Sequence, residues 1–496
     1  MRAAAGVAPG GRSAAARVVS TGRPSLRRDL PFRRIAVVLT GGGAMGAYEV
    51  GVLQALENAG IKPAIVAGVS VGAMNAVLWV AHHFRTAPLA SIWSGLTPDK
   101  IGMRRGALAM RTIGAFLVLV ALAQALLALA GSHQTSLARW ITRRAPESDL
   151  WSELLDVVAW LLVAAVGVAM GRLAPFADEW LARRGTPPSP ERLQRWFGIV
   201  LLVWALIHLA TWGFGVPWPH RFSATVLLLA SVAWLAHQPD RAGRWTRAVL
   251  QRLLPETRGR ALWTNETRRR LLGRLLRMGD VRAITKGDPH LLISACVVDT
   301  GHMCYFVNWP HPTADFRERI GETLGEVAVM RSPREIVEAA IASSAVPGVF
   351  EPVRILGREF VDGGVFSNQP LRVMLADGAD AILAVLVAPS AGPPPLPREL
   401  GTIGLGARLL ELANWRDLQA ELRSLPPEWT REPKGAAAAR VCVVEPREAL
   451  PGGMYGFDPS SARDLMERGL EDAWEALGRA GWLEGGVEPA EAAERS

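Results

Sequence analysis

Residues 34–72 read RIAVVLTGGGAMGAYEVGVLQALENAGIKPAIVAGVSVG, and this stretch decides the fold. The apolar run Ile35–Leu39 predicts a buried strand, and the glycine-rich loop after it opens a helix over residues 46–58. A second apolar run at residues 64–69 leads into Ser70 and then into another helix. Strand, helix and strand in this order predict a parallel sheet, and therefore an α/β fold.

The alternation of strands and helices returns near residue 289 and continues almost to the end of the chain. Apolar runs and helical patterns predict strands over residues 291–298, 303–309, 381–387 and 440–445, and helices over residues 333–343, 405–422 and 461–477. We therefore expect one α/β domain with a mostly parallel central sheet, built from two separate parts of the chain.

Ser70 lies in the sequence GVSVG, at residues 68–72, between an apolar strand and a helix. A sharp turn from strand to helix needs glycines at positions 68 and 72, because the hydroxyl must stand clear for a substrate carbonyl to approach. Ser70 is therefore the candidate nucleophile. The alternative is a serine that only caps the following helix.

The sequence GGGAMG at residues 41–46, here called the glycine loop, also follows a strand and opens a helix. As a dinucleotide-binding loop it would need an acidic residue at the end of the next strand, but that segment, residues 64–69, has none. As an oxyanion hole its backbone N–H groups would stabilise the negative charge that forms during attack by Ser70. A purely structural tight turn is the third alternative.

A nucleophilic serine needs a base, and the usual Ser–Asp–His order with a late acid is hard to build because no histidine follows His311. His290, His302 or His311 paired with an earlier acid remain open alternatives. Asp362 is the leading candidate, since it ends an apolar strand in the sequence FVDGG at residues 360–364. Burial beside the serine would raise its pKa enough for it to accept a proton. The alternative is an ordinary Asp-Gly-Gly turn.

Together these stretches resemble the patatin-like phospholipase family. Its members have a GGGx(R/K)G oxyanion loop, a GxSxG nucleophile turn, and a DG(G/A) sequence that carries the aspartate of a Ser–Asp dyad. Here the three elements read GGGAMG, GVSVG and DGG in the same order. The sequences SSAVP at residues 343–347, FEP at 350–352 and NQP at 368–370 also match the family.

The resemblance implies a three-layer fold, a catalytic Ser70–Asp362 dyad, and hydrolysis of a membrane phospholipid or other acyl-ester lipid through an acyl-enzyme, with no cofactor and no metal. The residues it implies around the dyad are the oxyanion-hole glycines Gly41, Gly42 and Gly43, and the supporting glycines Gly46, Gly68, Gly72, Gly363 and Gly364. Met45 departs from the family, which usually has Arg or Lys there. Acyl transfer by the same dyad, or an inactive domain acting as a membrane scaffold, are the alternative functions.

A different composition separates the two α/β parts, with apolar runs at residues 112–131, 157–171, 197–216 and 222–236. The first and third are about 20 residues long, enough to cross a hydrocarbon core of about 30 Å. For the second and fourth runs, a tilted span, a re-entrant segment and a buried helix are the alternatives. We expect an α-helical insertion with four transmembrane helices, and two spans are the alternative.

Ser70 and Asp362 lie on opposite sides of this insertion in sequence, so they can meet only if the number of membrane crossings is even. Arginines are concentrated before the first apolar run, between the second and third, and after the fourth, at residues 241–282. The positive-inside rule makes these segments cytoplasmic. We therefore expect an integral protein of a bacterial inner membrane, with its catalytic domain on the cytoplasmic face.

The net charge of +9 comes almost wholly from arginine and suits an anionic membrane surface or nucleic acid equally. No zinc-finger, homeodomain or RNP-type motif occurs, so we expect no nucleic-acid partner. The three cysteines, Cys296, Cys304 and Cys442, have no metal-type spacing and are predicted to be reduced core residues.

The expected segments follow from these patterns. They are a disordered tail (1–31), the first part of the α/β domain (32–106), the hydrophobic insertion (107–237), a basic juxtamembrane segment (238–284), the second part of the α/β domain (285–485) and a second disordered tail (486–496).

Overall fold

The computed structural model describes residues 25–104, 110, 113–122, 125, 157–158, 160–173, 261–322, 325–393, 402–430 and 437–484. The chain divides into two compact units. The first unit joins residues 1–101 to residues 265–496, and the second unit covers residues 102–264. The α/β domain is the first unit. Its second part therefore begins about 20 residues earlier than the sequence suggested, and includes much of the expected juxtamembrane segment.

The first unit is built around a nine-stranded sheet. The described strands, in chain order, are β1 (Ile35–Leu39), β2 (Ile65–Val69), β3 (Ala261–Trp263), β4 (His290–Val297), β5 (Met303–Val307), β6 (Gly325–Val329), β7 (Gly348–Phe350), β8 (Val353–Ile355), β9 (Arg358–Asp362), β10 (Ala381–Val385) and β11 (Val441–Val444). Strand β3 belongs to the second unit.

The strand order is β11-β10-β1-β2-β4-β5-β6, and the hairpin of β8 and β9 joins β4 through β9. Strands β11, β10, β1, β2 and β4 run parallel to one another, and β5 runs antiparallel to β4. The C-terminal ends of these five parallel strands therefore lie along one edge of the sheet, here called the carboxyl edge. The mostly parallel α/β sheet confirms the expected fold class.

Helices cover both faces of this sheet. The described helices of the first unit are α1 (Gly46–Ala59), α2 (Val71–Ala81), α3 (Ala87–Trp93), α4 (Glu266–Met278), α5 (Val281–Thr285), α6 (Ala314–Gly321), α7 (Pro333–Ser343), α8 (Leu371–Ala376), α9 (Thr402–Ser424), α10 (Pro427–Thr430) and α11 (Pro459–Arg479). Side chains alternate along β1, so that Val37 and Leu39 join a core with α1, α2, α7 and α11, whereas Ala36 and Val38 join a core with α6 and α8. The first unit is thus a three-layer structure.

The three cysteines are buried, free thiols. Residues 25–30, which the sequence assigned to a disordered tail, pack against the rest of the first unit. Leu26 bridges to Leu483, and Ser25 Oγ donates a hydrogen bond to a Glu484 carboxylate oxygen at 2.9 Å. Most of the predicted tails, residues 1–24 and 486–496, lie outside the described residues.

The second unit contains two helical stretches among its described residues, 113–122 and 160–173. They approach closely at a pair of glycines, because a Cβ added to Gly114 would lie 2.4 Å from the Gly167 carbonyl oxygen. Within the described residues, no helix combines the length and the apolar character that a membrane crossing requires. The predicted spans at residues 197–216 and 222–236 lie outside those residues. Most of the second half of the first predicted span, residues 112–131, also lies outside them. The four-span insertion therefore stays a prediction.

Candidate active site

Ser70 and Asp362 meet because β2 and β9 pair with successive residues of the same strand. Val69, the last residue of β2, is opposite Ser294 of β4, and Asp362, the last residue of β9, is opposite Ala295. The two strands run towards each other, so the residue that follows β2 faces the residue that ends β9. Ser70 Oγ donates a hydrogen bond to Asp362 Oδ2 at 2.6 Å.

Ser70 sits in a strained turn that glycines make room for. Its φ of 56° and ψ of −123° place a non-glycine residue at positive φ, which side chains disfavour. A Cβ on Gly68 would lie 2.5 Å from the Ala73 Cα, and one on Gly72 would lie 2.5 Å from the Leu39 carbonyl oxygen. Both positions therefore require glycine, as expected for a turn that presents a nucleophile.

The backbone of this turn is held by Ser343, the last residue of α7. The Ser70 N–H donates a hydrogen bond to Ser343 Oγ at 2.9 Å. A Cβ on Gly363 would lie 2.6 Å from the Ser294 carbonyl oxygen, so this glycine lets the chain after Asp362 pass close to β4. Ser343 was not a predicted site residue, although it begins the SSAVP sequence.

Asp362 is buried, and its surroundings set its acidity. Its Oδ1 accepts a hydrogen bond from the Gly364 N–H at 2.8 Å. Burial raises the pKa of Asp362 to about 6, while the hydrogen bonds from Ser70 and Gly364 and the charge of Arg268 act in the opposite direction. At neutral pH the carboxyl group is therefore mainly ionised, and can accept the Ser70 proton.

Arg268 of α4 is a buried cation that sequence analysis missed. Its Nη1 donates to the Ser344 carbonyl oxygen at 2.7 Å and to Ser344 Oγ at 3.0 Å, and the guanidinium lies 3.6 Å from the centre of the Phe350 ring. Its Nη2 donates to Asn265 Oδ1. Burial lowers the pKa of Arg268 to about 9, and the Asp362 charge acts against that change. Arg268 thus stays charged at neutral pH and holds the residue next to Ser343.

The glycine loop lies directly against Ser70, and Asn368 clamps its first residue. The Gly41 N–H donates to Asn368 Oδ1 at 2.7 Å, and Asn368 Nδ2 donates to the Gly41 carbonyl oxygen at 3.1 Å. A Cβ on Gly41 would lie 2.7 Å from Asn368 Oδ1 and 2.8 Å from Ser70 Cβ, and one on Gly364 would lie 2.9 Å from Asn368 Oδ1. The Gly41 N–H, one of the three predicted oxyanion donors, is therefore already occupied.

The other two predicted donors, Gly42 and Gly43, have N–H groups that find no acceptor in the described part of the chain. Gly43 has a φ of 58°, and a Cβ there would lie 2.2 Å from the Met454 carbonyl oxygen. That same oxygen accepts the Ala44 N–H at 2.8 Å. The loop around Met454 thus also holds the glycine loop, through the hydrogen bond from Ala44.

Behind the glycine loop, α1 is tied to α2 by a buried polar group of side chains. Asn75 Nδ2 donates to Glu49 Oε2 at 2.7 Å and to the Gly46 carbonyl oxygen at 2.9 Å, and Asn75 Oδ1 accepts from Trp93 Nε1 at 2.9 Å. Burial raises the pKa of Glu49 well above its usual range, which favours the neutral carboxyl. Gly46 must be small, since a Cβ there would lie 2.7 Å from a Val71 methyl carbon.

The histidines that were alternative bases lie elsewhere. His290 begins β4, at the opposite edge of the sheet from Ser70, and its Nδ1 lies 2.7 Å from Asp377 Oδ2. His302 lies in the turn between β4 and β5, with Nδ1 3.5 Å from a Glu326 carboxylate oxygen. His311 lines the same cavity as His290. Met45, which replaces the family's usual cation, is partly buried against the core. Within the described residues, no group of three or more His, Cys, Asp or Glu side chains is arranged to hold a metal ion.

Comparison with known proteins identifies the family of the chain. Residues 37–375 match the model of the patatin-like phospholipase family. The chain is 50% identical over 54 residues to lysophospholipase nte1 of Aspergillus terreus, and 48% identical over 58 residues to neuropathy target esterase sws of Drosophila melanogaster. These matches cover 11% and 12% of this chain, and 4% of each relative.

Among solved structures, VipD from Legionella pneumophila aligns with 94% of this chain and 72% of its own, at a TM-score of 0.36 and 12% identity. The family match spans more than half of the chain and includes both Ser70 and Asp362. The chain therefore belongs to the patatin-like phospholipase family.

Proposed function

We propose that this protein is a lipid acyl hydrolase, of phospholipase or lysophospholipase type, that works through a Ser70–Asp362 dyad. The observation that carries the proposal is the 2.6 Å hydrogen bond from Ser70 Oγ to Asp362 Oδ2, made in a buried position where the carboxylate is a stronger base than in water. The names of the relatives, an esterase and a lysophospholipase, support ester cleavage in a lipid.

In the first half of the reaction, Ser70 Oγ attacks the acyl carbonyl carbon while Asp362 takes the hydroxyl proton. The carbonyl oxygen becomes negative, and the N–H groups of Gly42 and Gly43 are the donors we assign to it. When the tetrahedral intermediate collapses, the ester bond breaks and the proton passes from Asp362 to the departing alcohol. The fatty acyl group remains on Ser70 as an ester.

In the second half, water attacks the acyl-enzyme and gives its proton to Asp362. Collapse of this intermediate releases the fatty acid and returns the proton to Ser70. The same carboxylate serves as base and then as acid in both halves, so a histidine is not needed. A pKa near 6 suits this double role, because both protonation states are accessible close to neutral pH.

We further propose that the protein acts at the cytoplasmic face of a membrane. The apolar runs between residues 107 and 237 and the arginine-rich segments around them support this location.

The test is hydrolysis of mixed phospholipids and of a short-chain soluble ester by the purified full chain, comparing wild type with Ser70→Ala and Asp362→Asn. We expect both changes to lower kcat by at least about a thousandfold. Asp377→Asn is the matched control, because this carboxylate also contacts a hydrogen-bond partner but lies at the other edge of the sheet. Unchanged activity in both dyad variants would refute the assignment. Inactivity of the wild type on every ester would favour the scaffold alternative.

A further inference from the structure

The hairpin that delivers Asp362 to the site ends in an unusual turn. Ile355 of β8 pairs with Arg358 of β9, so the loop between the strands consists of Leu356 and Gly357 alone. Their φ angles are 49° and 83°, both positive, as in a type I′ turn. Asn-Gly or Asp-Gly is the favoured sequence for such a turn, and a leucine at its first position is disfavoured by its side chain.

Leu356 is also the most exposed of the large apolar side chains that the structure describes, at 87% of its full area. A single exposed leucine is common on protein surfaces. A leucine that is both exposed and held at positive φ is unfavourable twice, in solvation and in backbone conformation. Such a combination indicates a residue retained for a contact outside the folded chain.

The hairpin stands on the same side of the first unit as Ser70. Strand β4 ends at the carboxyl edge, where Ala295 is opposite Asp362, and β9 runs antiparallel to β4. The start of β9 therefore lies further out than Asp362, by about 13 Å for four residues at about 3.3 Å each. The Leu356 tip is the outermost part of the hairpin, and projects beyond the carboxyl edge.

Other exposed apolar side chains lie at this edge. Val298 follows β4 and its N–H bonds to the Glu359 carbonyl oxygen in the hairpin, Phe366 comes four residues after Asp362, and Met454 touches the glycine loop. Arg354 on the hairpin is exposed, with Glu359 opposite it on β9, and no ion pair within the described residues involves Arg354. An apolar tip with an exposed cation beside it suits a surface whose interior is hydrocarbon and whose headgroups carry phosphate.

We propose that the β8–β9 hairpin is a docking finger that inserts Leu356 into a phospholipid surface, with Arg354 on the headgroup phosphates, and so presents the carboxyl edge and Ser70 to the lipid. The inference rests on the proposed function, since it names the physical form in which that site meets its substrate. Insertion would recover the free energy that exposure of Leu356 costs in water.

The first test measures directly whether the Leu356 tip enters a lipid surface, and it does not require catalysis. An environment-sensitive fluorophore is attached to the full chain at Leu356→Cys and, as a matched control, at Met278→Cys, an exposed apolar residue at the end of α4. Burial raises the pKa of Cys296 to about 11, and of Cys304 and Cys442 to about 12, so the native thiols react slowly.

Both labelled proteins are incubated with phosphatidylcholine–phosphatidylglycerol vesicles that carry bromine on the acyl chains. We expect a blue shift and quenching at position 356 and neither at 278. A probe at 356 that is no more affected than the one at 278 would overturn the proposal. The same measurement can be made on the Ser70→Ala protein. Its outcome therefore does not depend on whether the catalytic assignment is correct.

The second test uses Leu356→Asn, which gives the turn its favoured Asn-Gly sequence. We expect the Tm to stay the same or rise, the rate on a soluble short-chain ester to be unchanged, and the rate on phospholipid vesicles to fall about tenfold, as expected for loss of one buried leucine. Equal rates of variant and wild type on vesicles would contradict the docking role. A parallel loss on the soluble ester would contradict it too, since it would show that the tip acts on the dyad itself.

Discussion

The two ends of β4 each hold an aspartate beside a hydrogen-bonding side chain, yet only one of the two pairs has the properties of a catalytic site. At the carboxyl edge, Asp362 accepts the Ser70 hydroxyl in a buried position. At the opposite edge, the Asp377 side chain is also largely buried, and its Oδ2 lies 2.7 Å and 3.4 Å from the nearest nitrogens of the partly exposed His290 and Arg34. Asp377, whose charge is balanced by two cationic or polar partners, ties the sheet to α8. Asp362, which accepts hydrogen bonds from a hydroxyl and one backbone N–H, is available as a base.

The largest expected difference between the two ends is in activity. Asp362→Asn removes the proton acceptor, and we expect kcat to fall about a thousandfold to ten-thousandfold with little change in KM. Asp377→Asn should leave kcat within about twofold of wild type, because Asp377 does not touch the reacting atoms. Steady-state kinetics on a short-chain ester measures both. A large loss of kcat in a fully folded Asp377→Asn protein would contradict the claim that only Asp362 acts in the reaction.

The next effect concerns the clamp on the glycine loop. Asn368→Ala leaves the Gly41 N–H and carbonyl oxygen without their partner, so the neighbouring Gly42 and Gly43 donors are less well held. We expect kcat to fall about 10-fold to 100-fold, since loss of an oriented oxyanion donor has effects of this size. The measurement is kcat and KM on the soluble ester, with the Tm of each protein as the control for folding. An unchanged kcat would show that Asn368 does not position the loop.

A smaller effect is expected in the pH profile. Only ionised Asp362 can accept the proton, so kcat/KM should fall on the acid side with a midpoint near the pKa of about 6. Among the described residues, the charged group that acts on this carboxyl is Arg268, which lowers its pKa. Arg268→Met should therefore move the midpoint to higher pH.

The matched control for that shift is Arg269→Met. Arg269 is the next residue of α4, but it pairs with a Glu338 carboxylate oxygen at 2.6 Å near the surface. We expect its midpoint to equal that of the wild type in pH–rate profiles measured on the same ester. A shift of equal size in both variants would mean that the loss of net charge, and not the buried position of Arg268, moves the pKa.

The smallest expected effect is on the free energy of unfolding, which Asp362→Asn and Asp377→Asn should change in opposite directions. Because the folded-state pKa of Asp362 lies above the ordinary value, the folded chain binds this proton more tightly than the unfolded chain, and stability falls as the pH rises from about 4 to about 6. At pH 7, Asp362→Asn should therefore raise the free energy of unfolding by about 1–2 kcal/mol. Asp377→Asn should lower it by about 1 kcal/mol. Thermal or urea unfolding at pH 7 compares them.

Local sequence was sufficient for the parts of the site whose geometry is local. A strand, a glycine-flanked serine and a helix within residues 64–81 predict the nucleophile turn, because positive φ and close backbone packing demand glycine wherever they occur. The helix over residues 333–343 also has the predicted bounds, since Ser332 caps it and Pro333 begins it. For Asp362, the apolar strand before it and the glycines after it gave the position, but its contact with Ser70 depends on the register of β4.

The residues missed by sequence analysis act through contacts between distant segments. Arg268 lies in an arginine-rich stretch that resembles juxtamembrane charge, and only packing of α4 against α7 distinguishes it from Arg269 and Arg270. Asn368 stands in the NQP sequence, which resembles the family, yet its clamp on Gly41 joins residues 327 positions apart. The one available signal for Arg268 was the spacing of Leu272 and Leu276, which gives α4 a buried stripe.

The most direct test of the Ser70–Asp362 dyad is the rate at which a fluorophosphonate modifies Ser70, followed by intact mass and peptide mapping in wild type, Asp362→Asn and Asp377→Asn. We predict rapid modification at Ser70 alone in the wild type and in Asp377→Asn, and a rate at least about a hundredfold lower in Asp362→Asn, because the hydroxyl then lacks its base. Equal rates in wild type and Asp362→Asn would contradict the dyad.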